Sequence, residues 1–246
     1  MYYRNNLDSL IHLLETGSKK GLQHFIFSSS CSVYGNISTL PVNELTQVQN
    51  PESPYGYTKT AGERILADFA AVSGNKIKTV ALRYFNPVGA HPSGKLGELP
   101  TQRPNNLVPV ITQNAIGRNK EMQVFGNDYP TRDGTCVRDY VHVSDIAEAH
   151  VKALRYLLEN AAAPAYDIFN LGTGEGVTVL EAIQAFEAVS GKKLNYRISA
   201  RRPGDVAAIY SDSRKAEKLL DWKATRSLSE MMESAWKWEQ EFSANG

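Results

Sequence analysis

The chain's 246 residues are enough to bury a substantial core, as one large domain or as a larger and a smaller lobe. A composition of 42% hydrophobic and 22% charged residues, with a net charge of +1, is ordinary for a globular protein and excludes nucleic-acid or membrane-surface binding driven by bulk charge. Cys31 and Cys136 lie far apart without metal-ligand spacing, and there is no stretch of about 18 apolar residues and no basic-then-apolar leader. A soluble, cytoplasmic protein without a resident metal is expected.

In chain order, residues 5–20 read as an amphipathic helix with Leu7, Leu10, Ile11, Leu13 and Leu14 on one stripe and Gly21 as its stop. Phe25-Ile26-Phe27 is an apolar run suited to a buried parallel strand, and it leads into Ser28-Ser29-Ser30. A second helix is predicted over 54–73, opened by Pro54 and carrying Ala61, Ile65, Leu66, Phe69 and Val72 at helical spacing. A strand over 79–85 follows, and strand, helix, strand at this spacing is the mark of a doubly wound α/β sheet.

Residues 86–106 form a long connection rich in glycine and proline, of a length that is usually functional in a compact domain. Beyond it we predict a helix over 107–116, a strand over 122–125 and a helix over 144–158 with Ser144 as its N-cap. His142 and His150 lack partners at ligand spacing and read as structural. A strand over 167–171 precedes Gly172-Thr173-Gly174-Glu175-Gly176, whose third glycine falls one position short of a dinucleotide fingerprint; it reads as a tight turn before a helix capped by Thr178. A strand over 194–198, the basic turn Arg201-Arg202-Pro203-Gly204-Asp205 and helices over 213–220 and 227–242 complete the chain.

One stretch carries chemistry. Tyr55 and Lys59 are spaced i, i+4 and so share a helix face, where an ammonium can stabilise a phenolate that otherwise forms only near pH ~10. A hydroxyl at a strand end, such as Ser30, can hold the same substrate oxygen within reach of that base. The spacing alone is common on solvated helix faces; its weight comes from Pro54 before it and the serine-ended strand upstream. For Arg201 and Arg202, solvated side chains stand against a diphosphate contact suited to the guanidinium fork.

Phe25 to Gly35, Ser53 to Lys59, Leu82 to Gly94, Asn105-Asn106-Leu107, Phe125 to Gly134, Val137 to Val143, Asn170 to Gly174 and Arg201 to Asp205, with Asn5-Asn6, together resemble the UDP-glucose 4-epimerase branch of the extended short-chain dehydrogenase/reductases. The resemblance spans essentially the whole chain. It implies an α/β fold: part of a Rossmann-like, doubly wound parallel sheet over 1–86, and over 87–246 mainly a smaller C-terminal α/β lobe for the UDP-sugar, with 140–171 returning to the sheet. It implies interconversion of UDP-glucose and UDP-galactose in galactose metabolism, by NAD-mediated removal and return of hydride at sugar C4.

Residue by residue, the resemblance makes Tyr55 the base, Lys59 its activator and a ribose ligand, and Ser30 the partner of the 4-hydroxyl. Asn5 and Phe85 would border the NAD. Tyr84, Asn86, Asn106 and Leu107 would line the sugar-diphosphate pocket, Phe125 would meet the uracil, and Arg138, Arg202 and Asp205 would hold diphosphate and ribose. Ile209 would limit the C2 substituent, and a homodimer would form through the helices over 5–20 and 54–73.

One departure bears on the cofactor. None of the 18 glycines completes G-x-G-x-x-G or G-x-x-G-x-x-G. The first ~90 residues of the family pattern, with the turn and helix that receive a pyrophosphate, are therefore expected to lie outside this sequence, leaving an apolar strand edge at Phe25 to Phe27 and weak NAD binding and epimerase activity by the chain alone. The competing readings are another nucleotide-sugar epimerase or dehydratase, disfavoured because the Ser28–Ser32 segment offers no carboxylate, and an inactive remnant that binds UDP-sugar or a partner.

Overall fold

The computed structural model describes residues 2–73, 77–100 and 102–245. A π-helical turn (Arg4–Asp8) leads into α1 (Ser9–Lys19), β1 (His24–Ser30), a 3-10 turn (Cys31–Tyr34), α2 (Pro54–Val72), β2 (Lys78–Tyr84), β3 (Asn86–Val88) and α3 (Leu107–Ala115). Next come β4 (Met122–Phe125), β5 (Val137–Arg138), β6 (Tyr140–His142), α4 (Val143–Glu159), β7 (Tyr166–Leu171), β8 (Val177–Thr178) and α5 (Val179–Ser190). The chain ends with β9 (Tyr196–Ser199), β10 (Ala208–Ile209), α6 (Arg214–Leu220) and α7 (Leu228–Asn245). Among the described residues, no helix is long and apolar enough to cross a membrane.

The chain divides into two units, the first comprising Met1–Phe85, Ala147–Gly174 and Ser211–Lys223. Its frame is a parallel sheet in the order β1-β2-β7, with Ser30 opposite Tyr84 and Tyr84 opposite Leu171. β2 is central and buried through Thr79–Leu82, as a strand covered on both faces must be. Leu10 and Leu14 of α1, Leu66 of α2 and the half-buried Phe25 and Phe27 of β1 pack as one cluster. Each fully buried leucine there contributes about 1.5–3 kcal/mol of transfer free energy. Gly62 lets α2 lie against the sheet, because a Cβ at that position would come within 2.7 Å of the Phe27 ring. The outer backbone edge of β1 has no strand partner among the described residues.

Behind the sheet, Arg83 of β2 and Glu63 of α2 form a buried ion pair, Nε–Oε1 2.9 Å and Nη2–Oε2 2.6 Å, and the Ser29 hydroxyl donates to the same carboxylate at 2.5 Å. Neighbouring residues of one strand face opposite ways. Ser29 and Arg83 therefore serve this buried network, whereas Ser28, Ser30 and Tyr84 look out from the other face.

The second unit comprises Asn86–Ile146, Glu175–Tyr210 and Ala224–Gly246. Among the described residues it holds three small sheets: β3 with β6, β4 with β9, and β10-β5-β8, in which only the β5–β8 pair is antiparallel. Val108, Ile111, Met122, Val124, Ile183, Phe186, Met231 and Met232 fill its core, and Phe186 meets Trp236 edge-on at 5.6 Å between centroids. α5 starts with a capping box, the Thr178 hydroxyl accepting from the Glu181 N–H and the Glu181 carboxylate from the Thr178 N–H.

Two local expectations are corrected. The connection after residue 85 is not loop throughout, since Asn86–Val88 pairs with Tyr140–His142. Ser144 is not the cap of α4: the helix begins one residue earlier, and the Ser144 N–H donates to His142 Nδ1 at 3.0 Å. An imidazole thus accepts from a first-turn amide that a hydroxyl was expected to serve, while its Nε2 lies 3.1 Å from Ser234 Oγ.

Candidate active site

The first unit gathers the Tyr55 constellation where β1 ends and α2 begins. Ser53 caps α2, its Oγ accepting from the Gly56 N–H at 3.1 Å, and Pro54 occupies the first helical position. This puts Tyr55 in the first turn and Lys59 one turn on, over the serine run. Lys59 Nζ donates to the Ser28 carbonyl at 2.8 Å and lies 5.1 Å from the Phe27 ring and 5.4 Å from the Tyr55 ring. Burial alone lowers the Lys59 pKa, so its ammonium is partly stripped of water. Burial likewise raises the Tyr55 phenol above its ordinary value, with the Ser30 hydroxyl pulling the other way. At neutral pH the resting phenol therefore keeps its proton. Tyr55 sits in the first turn of α2, at the positive end of the helix.

Asn5 is exposed, and its carbonyl accepts from the Ser9 hydroxyl. Its neighbour Asn6 is the one tied to this turn: Asn6 Nδ2 donates to Thr58 Oγ1 at 2.8 Å, and Thr58 donates to the Tyr55 carbonyl at 2.8 Å. The Asn5-Asn6 pair was legible as a motif, but which of the two reaches α2 depends on the π-helical turn. Phe85 is buried, its ring 6.4 Å from Tyr34. Tyr84 belongs to this cluster, with its hydroxyl 2.9 Å from Ser28 Oγ. Tyr2 lies edge-on to Tyr55 at 5.9 Å.

The second unit contains a cavity of about 420 Å³, a size that suits a small ligand. Asn86, Asn106, Leu107, Phe125, Arg138, Arg202 and Asp205 all line it, together with Cys136 and Tyr140, which the sequence did not single out for this. Ile209 is buried on β10 opposite Arg138 and is not a lining residue.

Asp205 lies between the two guanidiniums, 2.9 Å from Arg202 Nη2 and 3.5 Å from Arg138 Nη2, and Arg138 also donates to the Val206 carbonyl at 2.8 Å. One carboxylate thus orients two cations and leaves this wall net positive. The hydrogen bonds to Asp205 raise the Arg202 pKa against the cost of burial. The Arg202 guanidinium stands 5.5 Å from the Phe125 ring centroid, forming a flat cationic and aromatic wall. α3 starts at this cavity with Leu107 and Val108, and the N–H groups of a helix start attract anions. The basic pair divides: Arg201 turns to Asp128 at 2.8 Å and to the Tyr129 ring at 4.2 Å.

The first unit thus carries a serine–tyrosine–lysine cluster beside a parallel sheet, and the second a positive, partly aromatic cavity. The family model described as GDP-mannose 4,6 dehydratase matches residues 1–235. A UDP-glucose 4-epimerase of Erwinia amylovora is 49% identical over 240 residues, 98% of this chain and 70% of the relative. The Homo sapiens UDP-glucose 4-epimerase is 46% identical over 240 residues, 98% of this chain and 68% of the relative. The crystal structure of the Stenotrophomonas maltophila UDP-glucose 4-epimerase, with bound NAD and formylated UDP-arabinopyranose, superposes with a TM-score of 0.94 at 46% identity, covering 99% of this chain and 71% of that one. The Bifidobacterium longum enzyme in complex with NAD+ and UDP gives 0.91 at 45% identity, over 97% of this chain and 70% of that one. With this identity, this superposition and this pair of residue clusters, the chain belongs to the UDP-glucose 4-epimerases of the extended short-chain dehydrogenase/reductase family.

Proposed function

We propose that this chain interconverts UDP-glucose and UDP-galactose by inverting C4 of the sugar, with NAD as cofactor. The observation that carries the reading is the Tyr55–Lys59–Ser30 cluster, a phenol with an ammonium over its ring and a hydroxyl beside it. The donor set fits the nicotinamide-ribose end of NAD: Lys59 is a partly dehydrated ammonium suited to ribose hydroxyls, and Phe85 directly follows Tyr84 at the end of β2. When bound, NAD supplies the acceptor and donor of the C4 hydride.

The chain's own residues do the rest. Ser30 accepts or donates at the 4-oxygen and holds it within reach of Tyr55, which takes the hydroxyl proton as hydrogen leaves C4 and, within the same turnover, gives it back to the 4-keto oxygen as hydrogen returns to the opposite face of the sugar. Lys59 stabilises the phenolate during that exchange. In the second unit, Arg138 and Arg202 take the diphosphate with the start of α3, Phe125 stacks on the uracil, and Asp205 takes the ribose; Asn86 and Asn106 serve the sugar. Proton and hydride both return, so the reaction is redox-neutral. Tyr84 borders the sugar, and Ile209, one strand away from Arg138, tunes tolerance at C2.

The dehydratase reading suggested by the family model's description requires an acid and a base to eliminate water, and Ser30-Cys31-Ser32 supplies neither. The further reading of this chain is a cytoplasmic homodimer through α1 and α2, supported by the exposed Ile11, Leu13 and Tyr57. Sedimentation showing a monomer at micromolar concentration would remove the dimer. The function is tested by Tyr55→Phe: epimerisation should fall ~10²–10⁴-fold while UDP affinity stays unchanged. A variant that turns over UDP-galactose at the wild-type rate would defeat it.

A further inference from the structure

Tyr84 of β2 and Ser28 of β1 meet on the sheet face that also carries Ser30, because Ser30 and Tyr84 are register partners and Ser28 lies two residues before Ser30. The Tyr84 hydroxyl donates to Ser28 Oγ at 2.9 Å. The same hydroxyl oxygen lies 2.7 Å from Nε2 of His150 on α4, the two rings tilted at 5.7 Å between centroids. Ser28 is also held from its other side, since its carbonyl accepts Lys59 Nζ at 2.8 Å. α4, β2, β1 and α2 therefore contribute one residue each to a continuous polar chain, His150–Tyr84–Ser28–Lys59, whose last member stands over the Tyr55 ring.

We infer that His150 is a positioning residue for the Tyr55–Lys59 pair: it donates from Nε2–H to the Tyr84 oxygen, directs the Tyr84 proton at Ser28, and so fixes the residue whose carbonyl anchors Lys59. This is the arrangement in which the Tyr84 hydroxyl donates to Ser28: a phenol has one proton, and with that one given to Ser28 its oxygen offers only lone pairs to the imidazole, so Nε2 carries the hydrogen. Such a chain matters here because Ser28 is exposed and lies near the end of β1, whose outer edge has no strand partner among the described residues. Without a second tether the carbonyl that holds Lys59 would move with that edge strand. The inference rests on the epimerase reading for its catalytic consequence, not for the hydrogen-bond chain itself.

The test pairs a spectroscopic readout with kinetics on the whole chain. In ¹⁵N-histidine-labelled protein, which has five histidines, His150 should be the Nε2–H tautomer, and Tyr84→Phe should shift its Nε2 resonance and no other. His150→Leu should lower kcat ~tenfold with KM within about twofold, the scale expected for one lost hydrogen bond in a positioning chain. His150→Gln, whose amide N–H can reach the same oxygen, should stay within about threefold of wild type, and His150→Leu with Tyr84→Phe should be no slower than Tyr84→Phe alone. An Nδ1–H tautomer, a glutamine variant as slow as leucine, or multiplicative losses in the double variant would each overturn the inference. Absence of turnover in the wild type would defeat the epimerase reading and the catalytic role with it, while the resonance measurement would still decide whether His150 donates to Tyr84.

Discussion

Replacing Glu63 by glutamine removes one charge and almost no volume, and it strikes the most buried ion pair of the first unit. The Arg83 and Glu63 side chains are 3% and 10% exposed, so neither charge can turn to water. The carboxylate accepts two bonds from Arg83 and one from Ser29, and among the described residues Arg83 Nη1 has no hydrogen-bond partner. Burial works against the Arg83 charge, yet Glu63 more than offsets it and holds the guanidinium proton more tightly than usual. At about 4 Å and an effective dielectric of about 20 the pair attracts by about 4 kcal/mol, much of which repays desolvation. Glu63→Gln removes the carboxylate bonded to the cation and leaves the Tyr34 ring 4.8 Å away and the Glu44 charge beyond hydrogen-bond reach, so the expected cost is about 3–5 kcal/mol. Converting both residues, Glu63→Leu with Arg83→Met, should recover most of it. Urea unfolding followed by ¹⁹F NMR of fluorotryptophan isolates the effect, since the buried Trp222 reports the first unit and Trp236 and Trp238 the second. A loss below about 1 kcal/mol in Glu63→Gln, or a double variant as unstable as the single, would refute the reasoning.

Burial pushes the Tyr34 phenol up to about 12, against the pull of Arg83 and of the bond it donates to Asn170 at 2.7 Å. Its contribution to stability is whole below pH ~10, where folded and unfolded phenols both hold their proton, and it is lost as pH rises through the folded value. Urea midpoints should therefore fall between pH 10 and 12, and less steeply in Tyr34→Phe; equal slopes would contradict this. Arg202→Ala removes charge-assisted bonds from the cavity wall and should weaken UDP binding by about 1.5–3 kcal/mol in calorimetry, whereas an unchanged affinity would take Arg202 out of the nucleotide site.

Local pattern made much of the first unit legible. The strand run at Phe25, the helix opened by Pro54 and the strand at Thr79 each carry their own period, and the Tyr55–Lys59 spacing needs only a helix to become a site. In the second unit the β4–β9 pair was legible as the strands over 122–125 and 194–198, whereas β10-β5-β8 was not, because β5, β8 and β10 are two residues each and owe their existence to long-range pairing rather than to any alternation. Arg201 and Arg202 look alike in sequence, yet a turn sends one to Asp128 and the other to the cavity. His150 read as an ordinary helix histidine, and nothing within α4 signals that its partner lies on β2.

The central claim is that this chain inverts C4 by removing and returning the same hydrogen. Conversion of UDP-galactose in D₂O, with NAD supplied and the product read by proton NMR, tests it most directly. The account predicts UDP-glucose that retains protium at C4, because the hydride never exchanges with solvent while the Tyr55 proton does. Deuterium at C4, or no conversion at all, would contradict it.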